Sequence, residues 1–177
     1  MSGIAELLDS SGFVSRRGEP VEHAADGARI VYLHAGHLYA SAEAARITTI
    51  LGSCVAVCVW DPVTRSGGMN HFMLPQDVGA NCATARYANF AINTLFERLA
   101  GYGAVFANLQ AKLFGGACVV SSLQSIGRDL GTKNVEAARE RLSHLGIPIV
   151  AENVGGHYGR KLLFRTDTGV VMLKRIQ

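Results

Sequence analysis

Short runs of apolar residues fill the first half of the chain and are separated by glycines, prolines and polar turns. Residues 55–60 read Val-Ala-Val-Cys-Val-Trp, so apolar side chains occupy both faces of the predicted strand. A strand that is apolar on both faces is typical of the centre of a covered sheet. Similar runs predict strands at 30–40, broken at Gly36, and at 46–51 and 69–74. The pattern therefore predicts a sheet with 55–60 as an inner strand.

Further along the chain the apolar residues take up helical spacing. They predict an amphipathic helix over 84–100, ended by Gly101 and Gly103. A second helix is predicted from about Asn134 to Leu145, ending at Gly146. The residues expected to face the core are Ala88, Ala91, Ile92, Leu95, Phe96 and Leu99 in the first helix, and Val135, Ala138, Leu142 and Leu145 in the second.

The remaining apolar runs complete the predicted sheet layer. They predict strands at 109–120, 147–152, 161–165 and 169–175. Many strands with two amphipathic helices among them indicate an α+β layered sandwich, in which the helices pack on a mainly antiparallel or mixed sheet. Residues 1–29 are rich in turn formers and charges, so we expect a loosely ordered arm followed by a single domain at 30–177.

Composition narrows the class of protein. The chain has 177 residues, 49% of them hydrophobic and 18% charged, which suits one domain with a sizeable core. A net charge of +3 is dispersed along the chain, which argues against nucleic-acid binding but could steer acidic protein partners. The sequence shows no membrane-length apolar stretch and no secretory leader pattern, so we expect a cytoplasmic protein.

A cysteine and a histidine carry the candidate chemistry. Cys54 follows a Gly52-Ser53 turn at the head of the inner strand, and His71 lies on the next predicted strand. An imidazole can take the proton of a thiol and later give it to a departing amine. Gly52 permits a sharp turn that could aim main-chain amides at an oxyanion. The alternative is that Cys54 is a small core residue and His71 a satisfied core histidine.

A zinc site is the competing use of the cysteines. If Cys54 and Cys58 lie on one strand, they are roughly 13 Å apart, whereas two zinc-bound sulfurs lie within about 5 Å of each other. The pair cannot share a metal ion. Cys58 and Cys118 are expected to be core thiols, Cys82 has no evident role, and free thiols are expected rather than disulfides. His157 and Arg160, in a glycine-rich segment, could line the rim of a substrate site.

Ordered sequence blocks give this chain a family resemblance. They are Thr48 to Val55 with Asp61-Pro62, Gly67 to Pro75, Arg86-Tyr87, Ala111 to Ala117, Ile126-Gly127 followed by Asn134, and Gly155-Gly156 followed by Gly159-Arg160. In these blocks, which span roughly residues 30 to 175, the chain resembles the bacterial chemotaxis protein CheD, the chemoreceptor glutamine deamidase family.

The resemblance implies a three-layer α-β sandwich like that of the deamidating cytotoxic necrotizing factor toxins. It also implies a Cys-His-Thr catalytic set with Cys54 as nucleophile, His71 as base and Thr48 as the residue that orients His71. The neighbouring Thr49 is the alternative for the third position. Candidates for contacting the substrate or the oxyanion are Ser53, Gly52 and Asn70. No metal ion or organic cofactor is implied.

The implied substrates are glutamine side chains in the helical cytoplasmic region of methyl-accepting chemotaxis receptors, which would become glutamates with release of ammonia. A second expectation comes from the same resemblance: a binding module that docks to receptors or to a CheC-type CheY-phosphate phosphatase. A third is a thiol amidohydrolase that acts on a small amide. Neither nucleic acid nor direct membrane insertion is expected.

Overall fold

The computed structural model describes residues 7–8, 14–15, 22–76, 84–118 and 124–176. Its strands are β1 (Leu7–Leu8), β2 (Val14–Ser15), β3 (Arg29–Tyr32), β4 (His37–Ser41), β5 (Ala45–Leu51), β6 (Val55–Asp61), β7 (Ser66–His71), β8 (Gln110–Gly115), β9 (Ile149–Val154), β10 (Gly159–Arg165) and β11 (Val171–Ile176). Its helices are α1 (Ala88–Gly101), α2 (Gln124–His144) and a short 3-10 helix, Phe106–Asn108.

Two mixed sheets form the body of the molecule. One has five strands in the order β4-β7-β6-β8-β9, and the other has four in the order β11-β10-β5-β3. The pairs β8-β9 and β3-β5 are parallel, and the other pairs in these two sheets are antiparallel. Strands β1 and β2 pair separately with each other.

The five-stranded sheet lies between the two helices and the four-stranded sheet. Its inner strand β6 buries Val55, Val57 and Val59 against apolar residues of α1 and α2. The opposite face of β6, with Ala56 and Cys58, packs against residues of β5 and β10. Both faces of β6 are therefore covered, which explains why its sequence is apolar throughout. The predicted α+β sandwich is confirmed, with helix, sheet and sheet as its three layers.

Most predicted elements agree with the structure to within a few residues. The break at Gly36 separates β3 from β4, as predicted, because this glycine has a φ of 79° in a tight turn. The second helix begins earlier than predicted, at Gln124 rather than near Asn134. Within the predicted N-terminal arm, the residues described are β1, β2 and those from Glu22 onward. The rest of the arm lies outside the described residues.

Candidate active site

Cys54 ends the turn that joins β5 to β6. The amide of Gly116 donates to the Cys54 carbonyl at 2.9 Å, and the amide of Ala117 donates to the Gly52 carbonyl at 2.8 Å. Gly115 has a φ of 112°, and a Cβ atom there would overlap the Cys54 carbonyl. Only glycine permits this close approach, so the segment that follows β8 fixes the backbone of the turn.

The pairing of β6 with β7 places Cys54 and His71 on one face of the sheet. Cys58 lies opposite Met69, and Val55 forms a bridge with Phe72, so the same register sets Ala56 opposite His71. Cys54 is two residues before Ala56, so it is the diagonal neighbour of His71 across the strand pair. Side chains of diagonal neighbours can reach each other. This face points into the space between the two sheets, where Cys54 packs against the core. The predicted hairpin neighbours are brought together.

Thr49 of β5 faces the same space from the opposite sheet. Its side-chain oxygen lies 2.7 Å from the Leu33 carbonyl and 2.9 Å from Nδ1 of His71. A carbonyl can only accept, so the Thr49 hydroxyl donates to Leu33 and accepts from Nδ1–H of His71. The imidazole then carries its proton on Nδ1 and presents Nε2 as a free acceptor. Nε2 has no hydrogen-bond partner among the described residues.

Thr48, the residue predicted to orient the imidazole, makes no hydrogen bond to His71 among the described residues. Its hydroxyl donates to the Leu162 carbonyl at 2.7 Å on neighbouring strand β10. Side chains alternate between the two faces of a strand, so consecutive threonines must point in opposite directions. Thr49 is fully buried between the sheets, whereas Thr48 is on the outer face of β5. The alternative residue, Thr49, therefore holds the histidine.

Burial keeps His71 neutral. The side chain is only 5% exposed, and loss of hydration lowers its pKa from 6.5 to about 4, despite the opposing effect of the Leu33 carbonyl. The nearby His34 and His37 lower the pKa further by charge repulsion. At neutral pH the imidazole is therefore a base with a vacant Nε2.

Cys54 is also neutral in the free protein. Burial raises the pKa of its thiol, and its own main-chain amide acts in the opposite direction. The site therefore combines a neutral thiol with a neutral imidazole.

Asn134 of α2 joins the two segments that carry these residues. Its Nδ2 donates to the Ser53 carbonyl at 3.1 Å and to the Met73 carbonyl at 2.9 Å. Ser53 immediately precedes the cysteine, and Met73 follows the histidine by two positions. The side chain of Asn134 is fully buried, so water cannot replace these bonds. One helix side chain thus fixes the spacing between the nucleophile turn and the end of β7.

The side chain of Asn70, a predicted substrate or oxyanion contact, is buried and binds the main chain of β6. Its Oδ1 accepts from the amide of Val57 at 2.9 Å and fills a gap in the pairing of β6 with β7. Alternation along β7 directs it away from the face that holds His71. Asn70 therefore accepts a main-chain hydrogen bond that the β6–β7 pairing leaves unmade at this position.

The remaining cysteines agree with the predictions where they are described. Cys54, Cys58 and Cys118 form no disulfide in the described part of the chain, and the last two are buried. Cys82 lies outside the described residues. Among the described residues, no group of three His, Cys, Asp or Glu side chains could hold a metal ion. Within the same part of the chain, no helix is long and apolar enough to cross a bilayer.

Sequence reasoning assigned no role to Asn134 and gave Thr49 only as the alternative to Thr48. Asn134 appeared only as part of a motif, because a helix residue gives no sign of the distant carbonyls that it reaches. Thr49 could have been found from strand alternation. It shares its face with the apolar residues Ile47 and Leu51, whereas Thr48 shares its face with Arg46.

The chain is similar to curated proteins over most of its length. A family model described as CheD chemotactic sensory transduction matches residues 73–175. The probable chemoreceptor glutamine deamidase CheD 1 of Anaeromyxobacter dehalogenans is 45% identical over 82% of this chain and 84% of its own. The probable chemoreceptor glutamine deamidase CheD of Trichlorobacter lovleyi is 44% identical over 83% and 91%.

The chemoreceptor glutamine deamidase CheD of Thermotoga maritima is 40% identical over 73% of this chain and 81% of its own. Among solved structures, the Bacillus licheniformis hypothetical protein YfiH aligns over 60% of this chain and 45% of its own. Its 18% identity and TM-score of 0.39 are too low to support an argument. The family match and the similarity to these relatives agree, and the chain belongs to the CheD family.

Proposed function

We propose that this protein is a chemoreceptor glutamine deamidase that uses Cys54 as nucleophile, His71 as base and Thr49 as the residue that orients His71. The observation that carries the proposal is the free Nε2 of a buried, neutral His71 whose Nδ1–H is bound by Thr49, on the face that also holds Cys54. The names of its relatives support the reaction and the substrate. The receptor region modified is cytoplasmic, so the protein acts in the cytoplasm.

Acylation begins when Nε2 of His71 takes the thiol proton as the Cys54 sulfur bonds to the side-chain amide carbon of a glutamine. The C=O π electrons move to oxygen and form an oxyanion. Thr49 accepts from Nδ1–H throughout, which stabilises the imidazolium that forms. The main-chain amide of Cys54, the residue that attacks, is one oxyanion donor. The amide of Ser53, or that of Gly52 in the same turn, supplies the second.

The tetrahedral intermediate collapses when the imidazolium gives its proton to the amide nitrogen and the C–N bond breaks. Ammonia leaves and a thioester joins Cys54 to the substrate. His71 then takes a proton from water, whose oxygen attacks the thioester carbon. The C–S bond breaks, the sulfur regains a proton from His71, and the substrate side chain is now glutamate. These steps need no metal ion or organic cofactor.

The rigid turn supports this mechanism because an oxyanion donor works only when its position is fixed before reaction. The bonds from Gly116, Ala117 and Asn134 tie down carbonyls of the Gly52–Cys54 turn. With its carbonyls held, the turn keeps its amides free to point towards the sulfur. Asn134 therefore acts as a positioning residue.

The test is the mass of a receptor cytoplasmic fragment before and after incubation with the protein. Each deamidation replaces an amide by a carboxyl group, and tandem mass spectrometry locates the change. We expect turnover by the wild type and none by Cys54→Ala, with Cys58→Ala as the matched control that retains activity if it folds. A fragment that binds the wild type but keeps every glutamine would contradict the enzyme and favour a docking module.

Binding to a CheC-type phosphatase stays a prediction of the family resemblance. Hydrolysis of free glutamine or another small amide, measured as released ammonia while the receptor fragment stays unchanged, would favour the small-amide amidohydrolase instead.

A further inference from the structure

One end of the β10–β11 hairpin concentrates positive charge beside the nucleophile turn. In the antiparallel register Arg160 lies opposite Arg175, and Lys161 lies opposite Lys174. On its other side β10 pairs with β5, so that Arg160 meets Leu51, the last residue before the Gly52–Cys54 turn. Two consecutive cross-strand pairs of like charge therefore stand next to the proposed active site.

These pairs oppose folding. Like charges directly across a sheet destabilise it, and such pairs are normally relieved by a neighbouring carboxylate. Burial lowers the pKa of Arg160, and repulsion from Arg175 adds to this effect. The two guanidinium groups lie 4.5 Å from the ring centre of Tyr158, which gives each a cation–π contact but no opposite charge. Their repulsion is therefore softened rather than neutralised.

The opposite end of the same sheet is arranged differently. Arg165 pairs with Asp167 at 2.8 Å and approaches Asp26 at 3.7 Å, and Arg46 pairs with Asp26 at 2.7 Å. Across the described ranges, no ion pair joins a carboxylate to Lys161, Lys174 or Arg175, and all three are exposed. Of the two ends of the β10–β11 hairpin, the end next to Cys54 is therefore the one where the described cations lack a carboxylate partner.

An apolar side chain completes this surface. Ile50 is 48% exposed and lies opposite Lys161 on the outer face of the sheet. Lys174 shares this outer face with them, whereas Arg175 lies opposite the buried Arg160 and extends from the other face, at the same end of the edge strand β11. We name the group Ile50, Lys161, Lys174 and Arg175 the basic end. Exposed cations around one apolar side chain complement a segment that carries carboxylates beside apolar residues.

We infer that the basic end binds an acidic segment of the protein substrate, whose carboxylates flank the glutamine delivered to Cys54. The inference rests on the proposed function and adds a substrate requirement to it: negative charge next to the target. The cross-strand repulsion is relieved when the segment binds. Such contacts at the edge of an interface act mainly on the rate of association and make binding sensitive to salt.

The test separates binding from catalysis by using the Cys54→Ala protein, which holds substrate without turnover. The probe is a receptor cytoplasmic fragment, and its Kd is measured at low and at high salt. In that background we expect the triple change Lys161→Gln, Lys174→Gln and Arg175→Gln to raise the low-salt Kd about tenfold and to flatten its dependence on salt.

The control is Arg65→Gln, one neutralised cation in the turn between β6 and β7, where its Nε donates to the Asp167 carbonyl at 3.3 Å. It is compared with Lys161→Gln alone, so that the change in net charge is equal. The control should leave Kd within twofold. An equal effect of both single changes, or no effect of the triple change, would overturn the inference.

Kinetics of the proteins that retain Cys54 complete the test. The triple variant should raise KM for the fragment while kcat stays within about twofold, because no reacting atom is touched. Far-ultraviolet circular dichroism checks that it folds. If the wild type binds the fragment through the basic end but does not deamidate it, the proposed function is wrong and the inferred binding surface stands. Equally tight, variant-sensitive binding of duplex DNA would mark a general polyanion site and overturn the inference.

Discussion

The two faces of strand β5 differ more than their sequence suggests. Ile47, Thr49 and Leu51 point between the sheets and are fully buried. Thr48 and Ile50 alternate with them on the outer face and are partly exposed. Adjacent threonines thus bind different partners: Thr49 holds a histidine in a dry interior, and Thr48 donates to a strand carbonyl. The difference teaches that, in this strand, the environment of a hydroxyl decides its role.

The largest expected effect comes from removing each hydroxyl in turn. Thr49→Val should lower kcat for receptor deamidation by about 10- to 100-fold, because Nδ1–H of His71 loses its acceptor and the imidazole is no longer oriented. Thr48→Val should change kcat by less than about twofold, since its bond to Leu162 is remote from the reaction.

Thr49→Ser is the matched control because it keeps the hydroxyl and should recover most of the activity. Loss of the Thr49 hydroxyl also leaves the Leu33 carbonyl without its partner, which should cost roughly 1–3 kcal/mol of unfolding free energy. Urea unfolding measures that cost separately from kcat. A Thr48→Val protein that is inactive, beside an active Thr49→Val protein, would return the orienting role to Thr48.

The second comparison concerns packing on the same two faces. Leu51→Ala should lower the free energy of unfolding by about 2–5 kcal/mol, because it opens a cavity between the sheets. Ile50→Ala should cost under about 1 kcal/mol, since this side chain is already 48% exposed. Urea unfolding of both variants is the measurement. Similar losses for the two variants would show that the outer face is also covered in solution.

The third comparison is the pH dependence of stability. His71 has a pKa of about 4 in the folded protein and 6.5 when unfolded, so between these values the unfolded chain binds the extra proton. Stability should therefore fall by roughly 3 kcal/mol as the pH drops from above 6.5 to below 4. His71→Gln should remove this contribution, and urea unfolding at several pH values measures it.

An outer-face ion pair provides the contrast. A hydrogen bond from Arg46 lowers the pKa of Asp26 below 3.8. Its stabilisation is complete above pH 3.8 and disappears only as the pH falls through the lower, folded value. Asp26→Asn should therefore lower stability by a constant amount above pH 3.8 and change the slope of the curve only below the His71 range. Added salt should weaken this effect because the pair is exposed. If salt instead weakened the stability change between pH 6.5 and about 4, that result would contradict the dry interior described for Thr49 and His71.

Local sequence patterns predicted much of the layered fold. Uniformly apolar β6 became a covered inner strand, and helical spacing located α1 and most of α2. The start of α2 was missed because residues 124–133 include Gly127 and Gly131, which weaken a helical pattern. The Gly131 backbone lies so close to Gly116 that a Cβ atom there would be 2.5 Å from the Gly116 carbonyl oxygen. Tertiary packing therefore explains why a glycine occupies position 131 of the helix, whereas helix propensity does not.

The candidate site was predictable to the extent that it depends on one hairpin. Cys54 and His71 lie on adjoining segments, and antiparallel pairing with alternation sets them on one face. Their catalytic roles stay predictions, together with the oxyanion amides of Ser53 and Gly52. Asn70 is a neighbour of His71 in sequence, but it lies on the other face of β7 and binds the Val57 amide.

The sequence by itself determined the type and order of elements and the pairing of a thiol with an imidazole, since these follow from local periodicity and one short connection. The stacking of the sheets decided what surrounds that pair. Thr49 meets His71 only because β5 packs across from β7, and Asn134 reaches Ser53 only because α2 lies on the other face. Contacts between segments that are far apart in sequence depend on how whole layers pack, and a local sequence pattern carries no information about that packing.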